Sequence, residues 1–295
     1  LMKGTHTMLA ILVMAVWASN IVAARISAAE IQGWTLITLR MAVVAITLLP
    51  FIRIQRGRMG KLFGISVTMG TLHFGLMFVA LEHVEVGTAA LIIQTSVPFA
   101  LLLALIVFRE RFGWRRALGI LVSFAGVVML VGEPRVSDNL LYLGMVLISA
   151  LAFGAANLQL RALGDVSAFT INGWIAIFAI PQMAFIAWLF EADQFGSLLS
   201  ASTETWIAVL HMGIIVSIVG HGLWYRLVPL YRTNQTMPFT LLIPVFGATL
   251  GYILLDETLT WIILAGGIIT LFGVAIIVFR MPDFIANWGV SSEEK

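Results

Sequence analysis

Apolar residues along this chain come in long unbroken runs rather than in stripes. Ten runs stand out, near 6–24, 33–52, 62–80, 86–107, 116–132, 140–160, 166–189, 205–225, 233–254 and 260–279, with polar residues collected in the short intervals between them. A helix needs about 20 mostly apolar residues to cross the hydrocarbon core of a bilayer, and each run approaches that length. Closed strand barrels also satisfy the backbone in lipid, but their strands alternate apolar and polar positions. Segments such as ALLLALIVF and GVAIIVF do not alternate. The pattern therefore predicts an all-α integral membrane protein with ten transmembrane helices, numbered α1 to α10 in the order of the runs.

Composition sharpens this. Hydrophobic residues make up 60% of the chain, charged residues 11%, and mean hydropathy is +1.02. Soluble domains carry about 25% charged residues, so this chain cannot clothe a water-facing surface, and no window remains for a soluble catalytic domain. A net charge of +2 gives no reason to expect nucleic acid. The absence of cysteine excludes disulfides, thiol catalysis and Cys-ligated metal. Lys3, the apolar stretch Met8–Ala24 and the small residues Ser27, Ala28 and Ala29 mimic a secretory leader. The stretch has a counterpart later in the chain, which favours a membrane span.

Charge sets the orientation. Cytoplasmic loops collect Lys and Arg. With the N-terminus inside, the inner loops hold 14 of the 17 basic residues, from Lys3 through Arg53, Arg109, Arg116 and Arg161 to Lys295, and ten of the fifteen acids fall outside. Both termini are thus expected in the cytoplasm of a bacterial inner (plasma) membrane. The same arithmetic explains a duplicated corner. FRERFGWRRALG and LDETLTWIILAGG align so that Glu110 and Glu257, Trp114 and Trp261, Gly119 and Gly266, and Gly126 and Gly273 are each 147 positions apart. The first copy is basic and the second acidic. Five helices per half is an odd number, so the second half enters the membrane from the opposite face. The expectation is two inverted five-helix repeats, 1–134 and 135–281, followed by a cytoplasmic tail at 282–295. Inverted repeats are a hallmark of secondary transporters.

The stretch from Phe78 to Leu130 carries an aromatic-x-A-L, a small-residue run, Pro98, an E-R pair at Glu110-Arg111, and Gly119 and Gly126 spaced as G-x(6)-G. This resembles the repeat of the drug/metabolite transporter superfamily, of the EamA type, and the stretch Pro229–Ile277 resembles it too. The second copy departs from it in having Glu257-Thr258 for the E-R pair. The resemblance implies ten helices and a small-molecule exporter. Within the family it is strongest to bacterial exporters of aromatic amino acids; relatives carrying drugs, sugars or nucleotide precursors keep broad-specificity export open as an alternative. A channel is a remoter one, because pores are usually rings of identical groups.

Polar groups at membrane depth usually face a cavity or one another. Candidate substrate-binding residues on that ground are Trp17 and Asn20 in α1, Arg40 in α2, His73 and Met77 in α3, Gln94 in α4, Asn157 in α6, Trp174 in α7, and His221, Trp224 and Tyr225 in α8. A flat apolar wall with a few donors and acceptors suits an aromatic zwitterion. Trp34, Trp114, Trp188, Trp206, Trp261 and Trp288, near helix ends, read as interface anchors instead. Arg40 has two readings: it can bind a substrate carboxylate or brace α2 against a neighbour's backbone. The family resemblance, in which Arg is common here whatever the cargo, tilts towards bracing. Pro98 and Pro244 fall within α4 and α9, where a proline removes a backbone hydrogen bond and kinks a helix, and they are the candidate gating hinges. Gly119, Ser123 and Gly126, with Gly266, Thr270 and Gly273, allow close helix contact.

No Asp or Glu lies inside a predicted helix core, which points to a carrier driven by its substrate gradient with at most weak proton coupling. No P-loop, H-E-x-x-H or G-x-S-x-G occurs. The chain is thus expected to be no enzyme, with no cofactor and no metal. Its expected partners are an amino acid-like solute and membrane lipid, as a monomer or weak homo-oligomer.

Overall fold

The computed structural model describes residues 3–107, 113–132, 139–227, 230 and 237–278. Among these, nine helices are long and apolar enough to cross a membrane: α1 Gly4–Ser27, α2 Gly33–Phe51, α3 Met59–Ala80, α4 Val86–Val107, α5 Trp114–Val131, α6 Leu140–Leu160, α7 Ala168–Phe190, α8 Thr203–Trp224 and α10 Trp261–Val278. The tenth, α9, is the shorter Phe239–Leu255. A short helix, Gln194–Ser200, that the runs did not predict joins α7 to α8. The basic corner with Glu110, the predicted start of α9, Trp288 and the tail from 282 lie outside the described residues.

Three helices pack against their own counterparts. The seam of α5 with α10 is the most extensive, α2 lies along α7, and α4 lies against α9. The other main contacts come in couples: α1–α9 with α6–α4, α3–α6 with α8–α1, and α3–α7 with α8–α2. Replacing every helix by the one five later turns this set into itself, as a pseudo-two-fold axis requires. The counterparts run antiparallel. Gly119 meets Gly273 and Gly126 meets Gly266 across α5–α10. Thr35 meets Glu191 at one end of α2–α7, and Leu48 and Ile52 meet Gly173 at the other. An inverted second half produces this arrangement.

Glycine makes the α5–α10 seam. A Cβ on Gly119 would lie 2.8 Å from the Gly273 carbonyl oxygen, and one on Gly126 would lie 2.7 Å from that of Gly266. Backbones touch there with no room for a side chain, the way small residues bring membrane helices together. Trp114, Trp188 and Trp261 are 74%, 70% and 85% exposed near helix ends, as interfacial anchors are. Trp34 behaves differently from its expected anchoring role. Its ring lies over Gly75 of α3, in the space a Cβ would need, so it is a packing residue.

Two kinds of irregularity recur in both halves. α3 winds as a π-helix over Ser66–Gly75, and its counterpart α8 does so over His211–His221. π-turns are rare and concentrate at functional sites. In α4 a 3-10 turn, Ile93–Thr95, precedes the α-helical segment Ser96–Val107, and in α9 the turn Met237–Leu241 precedes Leu242–Leu255. Pro98 and Pro244 are each the third residue of these restarted segments. Their missing N–H falls in a first turn, where that group has no intrahelical acceptor anyway, so each proline follows a break instead of forcing a mid-helix kink.

Candidate substrate site

The π segment of α8 packs against α1 and α2, and α2 in turn meets α3. Trp17 of α1 lies over Gly220 of α8, where a Cβ would stand 2.9 Å from the indole Nε1. Its ring centroid is 5.3 Å from that of His221 and 5.5 Å, edge-on, from that of Trp224. His221 Nδ1 stands 3.0 Å from the Val216 carbonyl five residues back. A carbonyl only accepts, so Nδ1 carries the proton. Ser19 ties α1 to the start of the same π segment through His211 Nε2 at 2.9 Å.

Among the described residues, the buried polar side-chain atoms without a partner are Trp17 Nε1 and Asn20 Oδ1 on α1, Arg40 Nε and Nη1 on α2, and the single atoms Thr88 Oγ1, Ser123 Oγ and Asn172 Nδ2 on α4, α5 and α7. Buried polar groups are overwhelmingly hydrogen-bonded, and α1 and α2 carry four of these atoms, including the two on a cation. Arg40 is 2% exposed. Its guanidinium carbon lies 4.4 Å from the centroid of Phe74 and 5.6 Å from that of Phe78. Cation–π contacts contribute about 0.5–2 kcal/mol each, short of the several kcal/mol that desolvating a cation costs. The backbone carbonyl that a bracing role requires is not on Nε or Nη1.

Other candidates sit elsewhere. His73 is a packed histidine: Nδ1 is 2.8 Å from Ser149 Oγ, and that hydroxyl donates to the His73 carbonyl at 2.9 Å, while the ring rests 4.7 Å from both Phe74 and Phe153. It joins α3 to α6. Met77 is buried in the main apolar core. Gln94 donates to the Thr240 carbonyl at 2.9 Å, linking the 3-10 turns of α4 and α9. Asn157 is exposed, and its amide donates to the Phe153 carbonyl of its own helix at 2.8 Å. Trp174 Nε1 donates to the Arg53 carbonyl at 3.0 Å and its ring stacks on Phe178, beside a cavity of about 500 Å³ lined by Phe51, Arg53, Asp165 and Phe169. The side chain of Tyr225 lies outside the described residues. A second cavity of about 210 Å³, at the opposite end, is lined by Arg25, His83, Glu85 and Thr88. Neither lining includes Trp17, Asn20 or Arg40.

Sequence reasoning missed a set of carboxylates. Glu191 accepts from the Trp34 and Thr35 backbone N–H groups at 2.6 and 2.9 Å and from the Thr35 hydroxyl at 2.6 Å. Glu82 accepts from Gly33 at 2.6 Å, Glu257 from Val86 and Gly87 at 2.6 and 3.1 Å, and Glu30 from Ser202 at 2.7 Å. Helices α2 and α4 have no side-chain cap of their own; carboxylates from neighbouring segments satisfy their first N–H groups and complement the positive helix end. Burial pushes the Glu82 carboxyl above the usual range and the nearby Glu191 adds to this, against the Gly33 N–H and Arg25. Glu30, held by the Ser202 backbone and side chain, is lowered. The acids were legible only as an excess of charge at one set of loops; their offsets from helix starts on other segments carry no periodic signal.

A polytopic helical bundle with two inverted halves and unpaired polar groups buried at the centre has the architecture of a membrane carrier. The chain belongs to the EamA-like transporter family, whose sequence model matches residues 5–132 and again 140–279. It is 28% identical over 290 residues, covering 95% of this chain and 97% of the relative, to a probable amino-acid metabolite efflux pump of Escherichia coli (strain K12). It is 29% identical to a protein of the same description from Salmonella typhimurium, covering 92% of this chain and 94% of the relative. A solved crystal structure shares the fold at a TM-score of 0.63 and 16% identity, covering 99% of this chain and all of the other.

Proposed function

We propose that the protein is a secondary transporter of the bacterial inner membrane that exports aromatic and other neutral amino acids by alternating access. The observation that carries the reading is the Trp17–His221–Trp224 cluster with Trp17 Nε1 and Asn20 Oδ1 buried and unpaired beside it. Aromatic faces offer a flat wall to an apolar side chain, and the unpaired donor and acceptor offer partners to a polar end. The efflux-pump descriptions of the relatives support the direction and the class of cargo. The loop charges support a topology with both termini in the cytoplasm, so that the carboxylate-capped ends of α2, α4 and α8 face outward. The halves 1–134 and 135–281 move against each other, and the 3-10 breaks before Pro98 and Pro244 absorb the change in backbone angle.

Counterflow tests this. In proteoliposomes, unlabelled L-tryptophan loaded inside accelerates uptake of labelled L-tryptophan if the protein is a carrier for it. Uptake indifferent to preloading would identify a pore. A competition panel that ranked drugs or nucleosides above every amino acid would replace the cargo.

A further inference from the structure

We propose that Arg40 is the receptor for the cargo's carboxylate and that Asn20 takes its ammonium group, so that the carrier reads both ends of an amino-acid zwitterion. This rests on the reading above that the central cluster is the transport site. The unpaired atoms sort by chemistry. Arg40 Nε and Nη1 are charged donors, Trp17 Nε1 is a neutral donor, and Asn20 Oδ1 is an acceptor. A carboxylate needs the first two and an ammonium the third.

Among the described residues no carboxylate forms an ion pair or hydrogen bond with Arg40 Nε or Nη1. Within the described spans the acidic residue is Glu204, in the first turn of α8 and exposed. His73 on α3 and His221 on α8 are ionisable groups of the neighbouring helices, and their Nδ1 atoms are engaged by Ser149 and the Val216 carbonyl. Arg25 shows what a bracing arginine looks like in this molecule: its Nη1 donates to the Leu81 carbonyl at 2.6 Å. Arg40 places Nε and Nη1 on no such carbonyl, while Phe74 and Phe78 lie within 4.4 and 5.6 Å of its guanidinium carbon and restrain it. A restrained, buried cation with idle donors selects for negative charge and against amines.

Three indoles test this on the purified wild-type protein without any substitution: L-tryptophan, tryptamine, which lacks the carboxylate, and indole-3-propionate, which lacks the ammonium group. The readouts are thermal stabilisation in detergent and competition in proteoliposomes, with the other amino acids and simple carboxylates in parallel. Tryptophan is expected to bind most tightly, indole-3-propionate more weakly, and tryptamine weakest. In Arg40→Gln, carboxylate-bearing ligands weaken roughly a hundredfold and the preference over tryptamine disappears, whereas Asn20→Leu weakens tryptophan while sparing indole-3-propionate. Arg40→Lys, which keeps the charge, recovers part of the loss and guards against misfolding of the Gln variant. Tryptamine matching tryptophan in the wild type, or tryptophan binding unchanged in Arg40→Gln, overturns the proposal and leaves amino-acid export standing. Arg40-dependent binding of other carboxylates with no amino acid bound upholds the Arg40 assignment and removes the aromatic cargo. Absence of binding by any carboxylate overturns both.

Discussion

The α5–α10 seam and the α1–α2–α3–α8 centre are both lined with small and polar residues inside a bilayer-spanning bundle, yet they solve opposite problems. In the seam Gly119 and Gly126 press against Gly273 and Gly266, and Thr270 returns its hydroxyl to the Gly266 carbonyl at 2.8 Å. Regular α-helix runs the whole length of both partners. At the centre two helices wind as π-helix and polar atoms of Trp17, Asn20 and Arg40 are left without partners. The seam is a closed contact that depends on having nothing added. The centre is an incomplete contact that asks for an addition. Among the described residues the seam leaves one neutral hydroxyl unpaired, Ser123 Oγ, whereas the centre leaves four atoms unpaired on Trp17, Asn20 and Arg40, two of them on a cation.

Filling the seam should give the largest effect. A Cβ on Gly126 already stands 2.5 Å from the Thr270 nitrogen, so Gly126→Leu must force two backbones apart. Overpacking costs about 1–3 kcal/mol where side chains can yield, and here the obstacle is backbone. The expected result is loss of monodisperse protein in detergent. Gly144→Leu on α6 is the control, since nothing lies within 4 Å of a Cβ there, and its melting curve should match wild type. Equal tolerance at both sites would deprive the seam of its scaffold role.

Removing an aromatic from the centre should act on transport before stability. Trp17→Ala strips the ring from both His221 and Trp224. Full burial of a Trp would cost about 3–5 kcal/mol on truncation, and Trp17 is half-buried, so the protein should fold with a lowered melting temperature. Uptake of labelled tryptophan should fall about tenfold or more, beyond one lost hydrogen bond. Trp174→Ala should leave uptake within about twofold, its bond being to the Arg53 backbone away from the centre. A larger loss from Trp174 than from Trp17 would move the site to the cavity at Arg53.

The contrast also explains what could be read from the sequence. The ten runs, the 147-residue repeat of Gly119, Gly126 and their counterparts, and the inverted topology follow from length, spacing and charge. Those are local or periodic signals, and α4 matches its predicted run of 86–107 to the residue. Trp17, Asn20 and Arg40 stand out in the sequence because polarity at membrane depth is costly, and they are among the residues whose buried polar atoms lack partners. Asn157 and Trp174 were equally polar and equally deep by count, but which way a side chain turns depends on neighbouring helices: Asn157 bonds its own helix and Trp174 the α2–α3 loop. The π segments gave no signal, and the carboxylate caps gave only an excess of acid at one set of loops. They depend on partners more than 40 residues away, such as Gln182 with Ser66 and Thr71, or Glu191 with Thr35.

The caps allow a finer cut between the rigid and the working parts. Glu191 holds the start of α2, the helix that carries Arg40, through three hydrogen bonds. Glu191→Ala exposes the Trp34 and Thr35 N–H groups and should lower stability by about 1–3 kcal/mol, measured as a shift in the denaturation midpoint. Glu191→Gln keeps an acceptor and should lose less than half as much. An alanine variant as stable as wild type would show that α2 needs no external cap.

The smallest effect expected is one of pH, and its sign differs between two caps that make the same kind of bond. Burial raises the Glu82 carboxyl above its usual value near 4.5, so the folded protein holds this proton more tightly than the unfolded chain. Folding is therefore favoured below that value, and the advantage is lost as pH climbs through the raised folded value. Glu30 is lowered by its bonds to Ser202, so its contribution is present above 4.5 and disappears as pH falls through the lowered folded value. Glu82→Gln retains an acceptor for the Gly33 N–H and removes a strained charge. It should raise the melting temperature slightly at pH 7 and have no effect near pH 4. Glu30→Gln should lower it at pH 7 and converge with wild type in acid. Identical pH profiles for the two variants would mean that burial does not distinguish these caps, and that the pair of carboxylates on α2 is no tighter a closure than the exposed one on α8.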